Sequence, residues 1–265
     1  MRKILFNKYF LITLITLIIM LCCFIHETNI ISITHNFVVS SEYQNEVRNL
    51  YGNDLIICYF NLILNIIKMN GFDYLIIWST NIFQLLIPFY VILSLHFIKS
   101  NSKIKFIVFE SFKYSLCILV SFLSFYIFIL LITNGKVSNY INRELFSDLL
   151  GTDFYKNNIY LYYLIDGIIK FLIVPFMYIL NANLIKLTVD NIDKYCFYII
   201  YFYFGLSLLA LFLEKFIGNI FMYMNPMVFM ASGSYSNIST IALFMSLIMF
   251  NLISYIIYFI RRRNI

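Results

Sequence analysis

Asp166 and Lys170 stand four residues apart in the stretch LIDGIIKFL, inside a run that is otherwise apolar. That spacing is a little over one helical turn, so a helix would carry the carboxylate and the ammonium on one face, close enough to pair. Each charge alone at mid-bilayer would cost about 2.5 to 3.5 kcal/mol on insertion scales, and pairing lowers that cost. Two readings are open: a polar spot on a substrate path or subunit interface, or an ion pair in the outer leaflet reaching toward water. Asn81 and Gln84 are polar residues in another apolar run. They are candidates for the same path, or for hydrogen bonds that glue helices together.

Reactive constellations are missing from the sequence. A glycine-rich phosphate loop, GxxxxGK followed by Ser or Thr, does not occur, and the eight glycines are scattered singly. Without it, backbone amides and a lysine have no cradle for phosphates. His26, His35 and His96 are isolated, and His26-Glu27 has no second histidine four residues on, so no HExxH zinc site forms. GxSxG is absent as well. The five cysteines show neither CxxC nor Cys/His spacing and read as small apolar fillers, with no disulfide framework or metal site indicated. The chain is therefore expected to be non-catalytic, with no cofactor of its own.

The elements that hold these residues follow from composition. Hydrophobic residues make up 62% of the chain, charged residues 12%, and mean hydropathy is +0.86, where a soluble domain carries roughly a quarter charged residues. Such a chain belongs in a bilayer. The expected class is all-α, a single polytopic membrane domain over 1–265 with six transmembrane helices near 9–25, 74–98, 114–133, 160–181, 195–217 and 238–260. Arg2 and Lys3 precede the first run, but no small-x-small site follows it, which reads as an uncleaved first span. Pro88 and Pro175 are expected to kink the second and fourth spans.

Orientation follows from Lys and Arg. With the N-terminus inside, the inner segments hold Arg2, Lys3, Lys8, Lys99, Lys103, Lys105, Lys113, Lys186, Lys194 and Arg261 to Arg263, twelve of the nineteen. The positive-inside rule thus predicts both termini in the cytoplasm. A net charge of +6 fits an anionic membrane surface, and without a soluble basic domain nucleic acid is excluded as a partner.

Three connections carry further information. The outer segment 26–73 contains LIICYFNLILNIIKM, short for a span and with Asn61, Asn65 and Lys68 at helical spacing, which suits an interfacial or re-entrant helix. Taken as a span it would place the termini on opposite sides, against the charge pattern. The inner segment 99–113 alternates Ile104, Ile107, Val108, Phe109 and Phe112 with Lys103, Lys105, Glu110 and Lys113. It reads either as a short amphipathic helix at the cytoplasmic surface or as the start of the third span resting among headgroups. The link MYMNPMVFM, residues 222–230, is uncharged and Met-rich, and Asn225-Pro226 breaks its backbone, which suits a re-entrant or interfacial segment in the outer leaflet.

Together, the basic start MRKILFNKYF, the six runs, the long outer segment, the inner amphipathic segment, the link YMNPMVF and the basic end YFIRRRNI resemble the permease subunits of type-2 ABC exporters. The small stand-alone permeases of Gram-positive bacteria are the most similar group, and the likeness runs the full length. It implies a bacterial cytoplasmic membrane location, a second permease copy or paralogue, and a separate ABC ATPase subunit that binds ATP and magnesium. It implies that the inner segment couples to that ATPase through Lys103, Lys105, Phe109 and Glu110. KSNSKIKF departs from the acidic-Gly-Thr sequence many members carry there. The expected cargo is an amphipathic peptide, such as a bacteriocin or antimicrobial peptide, or a lipid. The alternative is a non-transporting immunity or sensor protein that binds a peptide through its outer segment.

Overall fold

The computed structural model describes residues 8–81, 86–98, 104–138, 153–187 and 239–263, with isolated positions between 205 and 216. Among them every regular element is helical and no strand occurs. In chain order the helices are α1 (Lys8–Glu27), α2 (Ile30–Val39), α3 (Ser41–Tyr51), α4 (Leu55–Asn70), α5 (Phe72–Asn81), α6 (Ile87–Phe97), α7 (Ile104–Ile132), α8 (Phe154–Asn157), α9 (Ile159–Lys186) and α10 (Thr240–Arg263). Three of them, α1, α7 and α9, are long and apolar enough to cross a membrane; counting the bent pair α3 and α4 as one span would make four. The protein is an all-α membrane protein on that ground.

Several expected elements take a different form. Within the stretch 74–98 the described residues form α5 and α6, of 10 and 11 residues, and 82–85 lie outside the described residues. Pro88 stands in the first turn of α6, where its missing N–H costs nothing. The inner segment does not form a separate helix: residues 104–113 are the first turns of α7, which runs 29 residues without a break. The expected span 195–217 lies mostly outside the described residues, although Leu208, Leu209, Phe212 and Phe216 within it are helical and exposed.

Contacts divide the chain into two compact units. One comprises Leu14–Ile82 and Ser121–Ile141, the other Met1–Thr13, Phe83–Val120 and Asn142–Ile265. In the first, α2, α3 and α4 enclose a small core of Phe37, Val47, Cys58 and Leu62, flanked by Ile33, Tyr43, Tyr51, Tyr59 and Ile66. Polar residues cut this stretch into short helices. Asn29 takes a left-handed φ of 52° before α2, the Ser40 hydroxyl accepts the Tyr43 N–H to start α3, and Asp54 Oδ1 accepts from the amides of Ile56 and Ile57 to start α4. Farther along, α5 is tied to the turn after α7. The Asp73 carboxylate accepts from the Ser138 N–H at 2.7 Å and the Ser138 hydroxyl at 2.8 Å, and the Phe72 N–H donates to the Lys136 carbonyl.

In the second unit, α9 packs against both α6 and α10. Its axis contains a π-helical turn, Ile169–Ile173, in which the Val174 N–H reaches back to the Ile169 carbonyl. Pro175 follows directly. A proline supplies no N–H to the carbonyl four residues before it and crowds that carbonyl, and the widened turn makes room for this.

Gly71 joins α4 to α5 with φ +78°, and a Cβ there would strike the backbone and side chain of Ser138. Gly52 also has positive φ, at +105°, but faces open space. Gly71→Ala should therefore destabilise by more than the roughly 1–3 kcal/mol that backbone strain alone sets for Gly52→Ala. Thermal unfolding in detergent measures both, and equal losses would show that Ser138 yields freely.

Candidate functional site

Two clusters of ionised side chains are built into the second unit. The first forms where α1 begins. Glu110, in the second turn of α7, is buried, and its Oε2 accepts from Lys8 Nζ at 2.8 Å and from the Tyr9 hydroxyl at 2.6 Å. Its Oε1 accepts from Lys113 Nζ at 3.2 Å. Aromatic faces complete the cluster. Lys8 Nζ lies 4.9 Å and 5.2 Å from the Tyr9 and Tyr114 ring centres, and Lys113 Nζ lies 4.2 Å from that of Phe109. Tyr9 and Tyr114 meet edge to face at 5.6 Å. One carboxylate thus gathers two ammonium groups and a phenol, a charge-assisted arrangement stronger than neutral hydrogen bonds.

The consequence for α7 is a sorted surface. Glu110, expected as a contact for a partner, has both oxygens engaged within the chain. Lys105 and Phe109 are exposed, Phe109 by 57%, and the partly exposed Phe106 and Phe112 flank them, Phe112 meeting Phe176 edge to face at 6.1 Å. Lys103 lies outside the described residues.

The second cluster lies within α9. Asp166 and Lys170 come together as their spacing predicts, with Lys170 Nζ 2.5 Å from Asp166 Oδ2. Both are buried, each 6% exposed, instead of reaching into solvent. Asp166 Oδ1 is buried too and has no hydrogen-bond partner among the described residues. The pair straddles the start of the π turn, and one turn earlier Tyr162 and Tyr163 pack with Tyr155 at centroid distances of 4.9 Å and 5.9 Å. π turns are frequent at functional sites, and ionisable residues within spans are rare and mark them.

Below this pair, α9 carries polar residues that were not singled out by sequence. Asn181 donates to the Ser254 hydroxyl at 2.8 Å, and Asn183 donates to the Ser94 hydroxyl at 2.9 Å. The Lys186 ammonium is buried against the carbonyls of Leu95 and Ile98, at the C-terminal end of α6. A cation there satisfies carbonyls that the helix leaves unbonded and meets the negative end of its dipole. The signal was the polar cluster NANLIK at the end of an apolar run; counting Lys186 only as an inside charge hid its role.

Asn81 is the last residue of α5, while Gln84, Asn225 and Pro226 lie outside the described residues. Among the described residues no three His, Cys, Asp or Glu side chains gather where they could hold a metal ion. No protein-family model matches the chain, and no curated protein or solved structure matches it at a significant level.

Removing one member of a buried pair leaves the other uncompensated, at about 3–5 kcal/mol, whereas replacing both with apolar groups of similar size is often neutral. Lys170→Met should accordingly lower thermal stability by that order, and Asp166→Leu with Lys170→Met should recover most of the loss. Additive losses in this double-mutant cycle would show that the two charges do not act as a pair.

Proposed function

We propose that this chain is the membrane-spanning permease subunit of an ATP-driven transporter that exports or clears an amphipathic substrate, a peptide or a lipid. ATP and magnesium are bound and hydrolysed on a separate ATPase subunit, and a second permease copy or paralogue completes the path. The observation that carries this reading is the anchored start of α7. Glu110 ties its second turn to Lys8 and Tyr9, so that Lys105, Phe106, Phe109 and Phe112 stand on a braced surface outside the apolar run. The same helix continues unbroken to Ile132. A partner that pushes on its first turns therefore moves a rigid rod some 40 Å long at about 1.5 Å per residue. Transport needs such differential contacts between two states and no bond chemistry.

The reading takes six spans with both termini in the cytoplasm, following the distribution of Lys and Arg. Lys105 and Phe109, and Lys103 with them, then contact the ATPase, while Glu110 acts through the anchor. The buried Asp166–Lys170 pair beside the π turn supplies a polar point in the interior that can respond to movement of α9.

The chain should co-purify with an ATP-binding subunit, and Lys105→Ala with Phe109→Ala should reduce both recovery of that subunit and its stimulated hydrolysis at least tenfold. If both survive the double substitution, this surface does not couple. Recovery of no ATPase at all, with protection against a peptide toxin retained, would favour the immunity or sensor reading. Single cysteines at Ser102 and Ser147 should label from opposite sides of the membrane, and labelling of both from outside would reject the six-span arrangement.

A further inference from the structure

We propose that residues 30–70 form a lipid-seated foot: the apolar face of α4 lies in the shallow acyl region of the leaflet at which α1 ends, and α3 stays in water. The alternative arrangement, α3 and α4 as one broken span, fails on length and charge. The two axes differ by 81°, and α4 alone has 16 residues, about 24 Å at 1.5 Å per residue against a hydrocarbon core of about 30 Å. Extending it with α3 would bring Glu42, Glu46 and Arg48 into hydrocarbon.

The surface of α4 is sorted for an interface. Ile56, Ile57, Phe60 and Leu64 fall within about 100° of one another around the helix at 3.6 residues per turn. They are bare in the structure, Ile56 by 68% and Phe60 by 59%. On the opposite side Cys58 and Leu62 enter the small core shared with α2 and α3. Gly52, Asn53 and Asp54, all exposed, form a polar corner directly before this face, and α3 beyond it carries most of the charge.

What covers the face follows from the tethers. Helix α1 has 20 residues, about the length that crosses the core, and α2 begins three residues after its end at Glu27. A segment held that close to the end of a span meets lipid before any other apolar surface. Its shape, with an apolar face, a polar corner and a charged neighbour helix, is that of an interfacial helix and not of a soluble lid. The proposal concerns depth alone and holds whichever side of the membrane α1 ends on, so it stands apart from the transport reading.

The test uses the full chain in liposomes, with Trp78 of the unsubstituted protein as the baseline emission. Phe60→Trp and Asn49→Trp each add one indole, at exposed positions on α4 and α3. Lipids brominated near the headgroup end or near the terminal methyl report depth, and iodide reports contact with water. The added emission at position 60 should be quenched severalfold more by the shallow bromines than by the deep ones and be sheltered from iodide. The emission at position 49 should be quenched by iodide and spared by both bromines. Strongest quenching of position 60 by the deep bromines would make α4 part of a span. Iodide quenching at position 60 equal to that at 49 would place the face in water, and shelter from all three quenchers would mean that protein, such as a second copy, covers it. Each of these three results overturns the proposal.

Discussion

A polar group inside hydrocarbon can bond only with protein, while apolar side chains gain little there by exchanging lipid for one another. The arrangement of α6, α9 and α10 reflects both facts. Their faces are apolar almost throughout, yet the contacts that fix one helix on the next include Asn183 to Ser94, Lys186 to the carbonyls of Leu95 and Ile98, and Asn181 to Ser254. Apolar packing permits many registers along such helices. A hydrogen bond between two particular side chains permits few.

The same constraint operates at the start of α7 with formal charge. Lys8, Glu110 and Lys113 satisfy one another, and the aromatic rings of Tyr9, Phe109 and Tyr114 take up the remaining cationic surface. The consequence is mechanical as well as electrostatic, because a helix fixed near its first turns cannot fray there. In α9 the constraint is met less completely. Asp166 spends one oxygen on Lys170 and leaves the other without a partner among the described residues, at the place where Pro175 forces a π turn into the helix. Buried charge and broken helical regularity coincide at that point.

Much of this architecture was written into residue order. The apolar runs gave α1, α7, α9 and α10 because a predominantly apolar run near 20 residues has few alternatives to a helix at membrane depth. The Asp166–Lys170 pair was legible because both residues lie on one helix, where spacing alone determines proximity. The same local logic places the breaks at Ser40, Gly52 to Asp54 and Gly71, whose side chains or positive φ values end one helix and start the next. Pattern failed where two outcomes share one pattern. An amphipathic stretch at 99–113 fits a separate surface helix as well as the first turns of a longer one, and α7 took the second form.

Sequence by itself determined the helical class, the membrane setting and the contacts between residues a turn apart, since these depend on composition and on helical period. Tertiary structure decided the contacts that bridge about a hundred residues: Lys8 and Tyr9 on Glu110, Asn183 on Ser94, and Lys186 on the end of α6. It thereby turned Glu110 from an expected surface contact into an internal anchor, and Lys186 from a charge counted only for orientation into a helix cap. The physical reason is that a charge in an apolar chain announces only that it needs a partner. Which partner it finds is settled by how the helices meet.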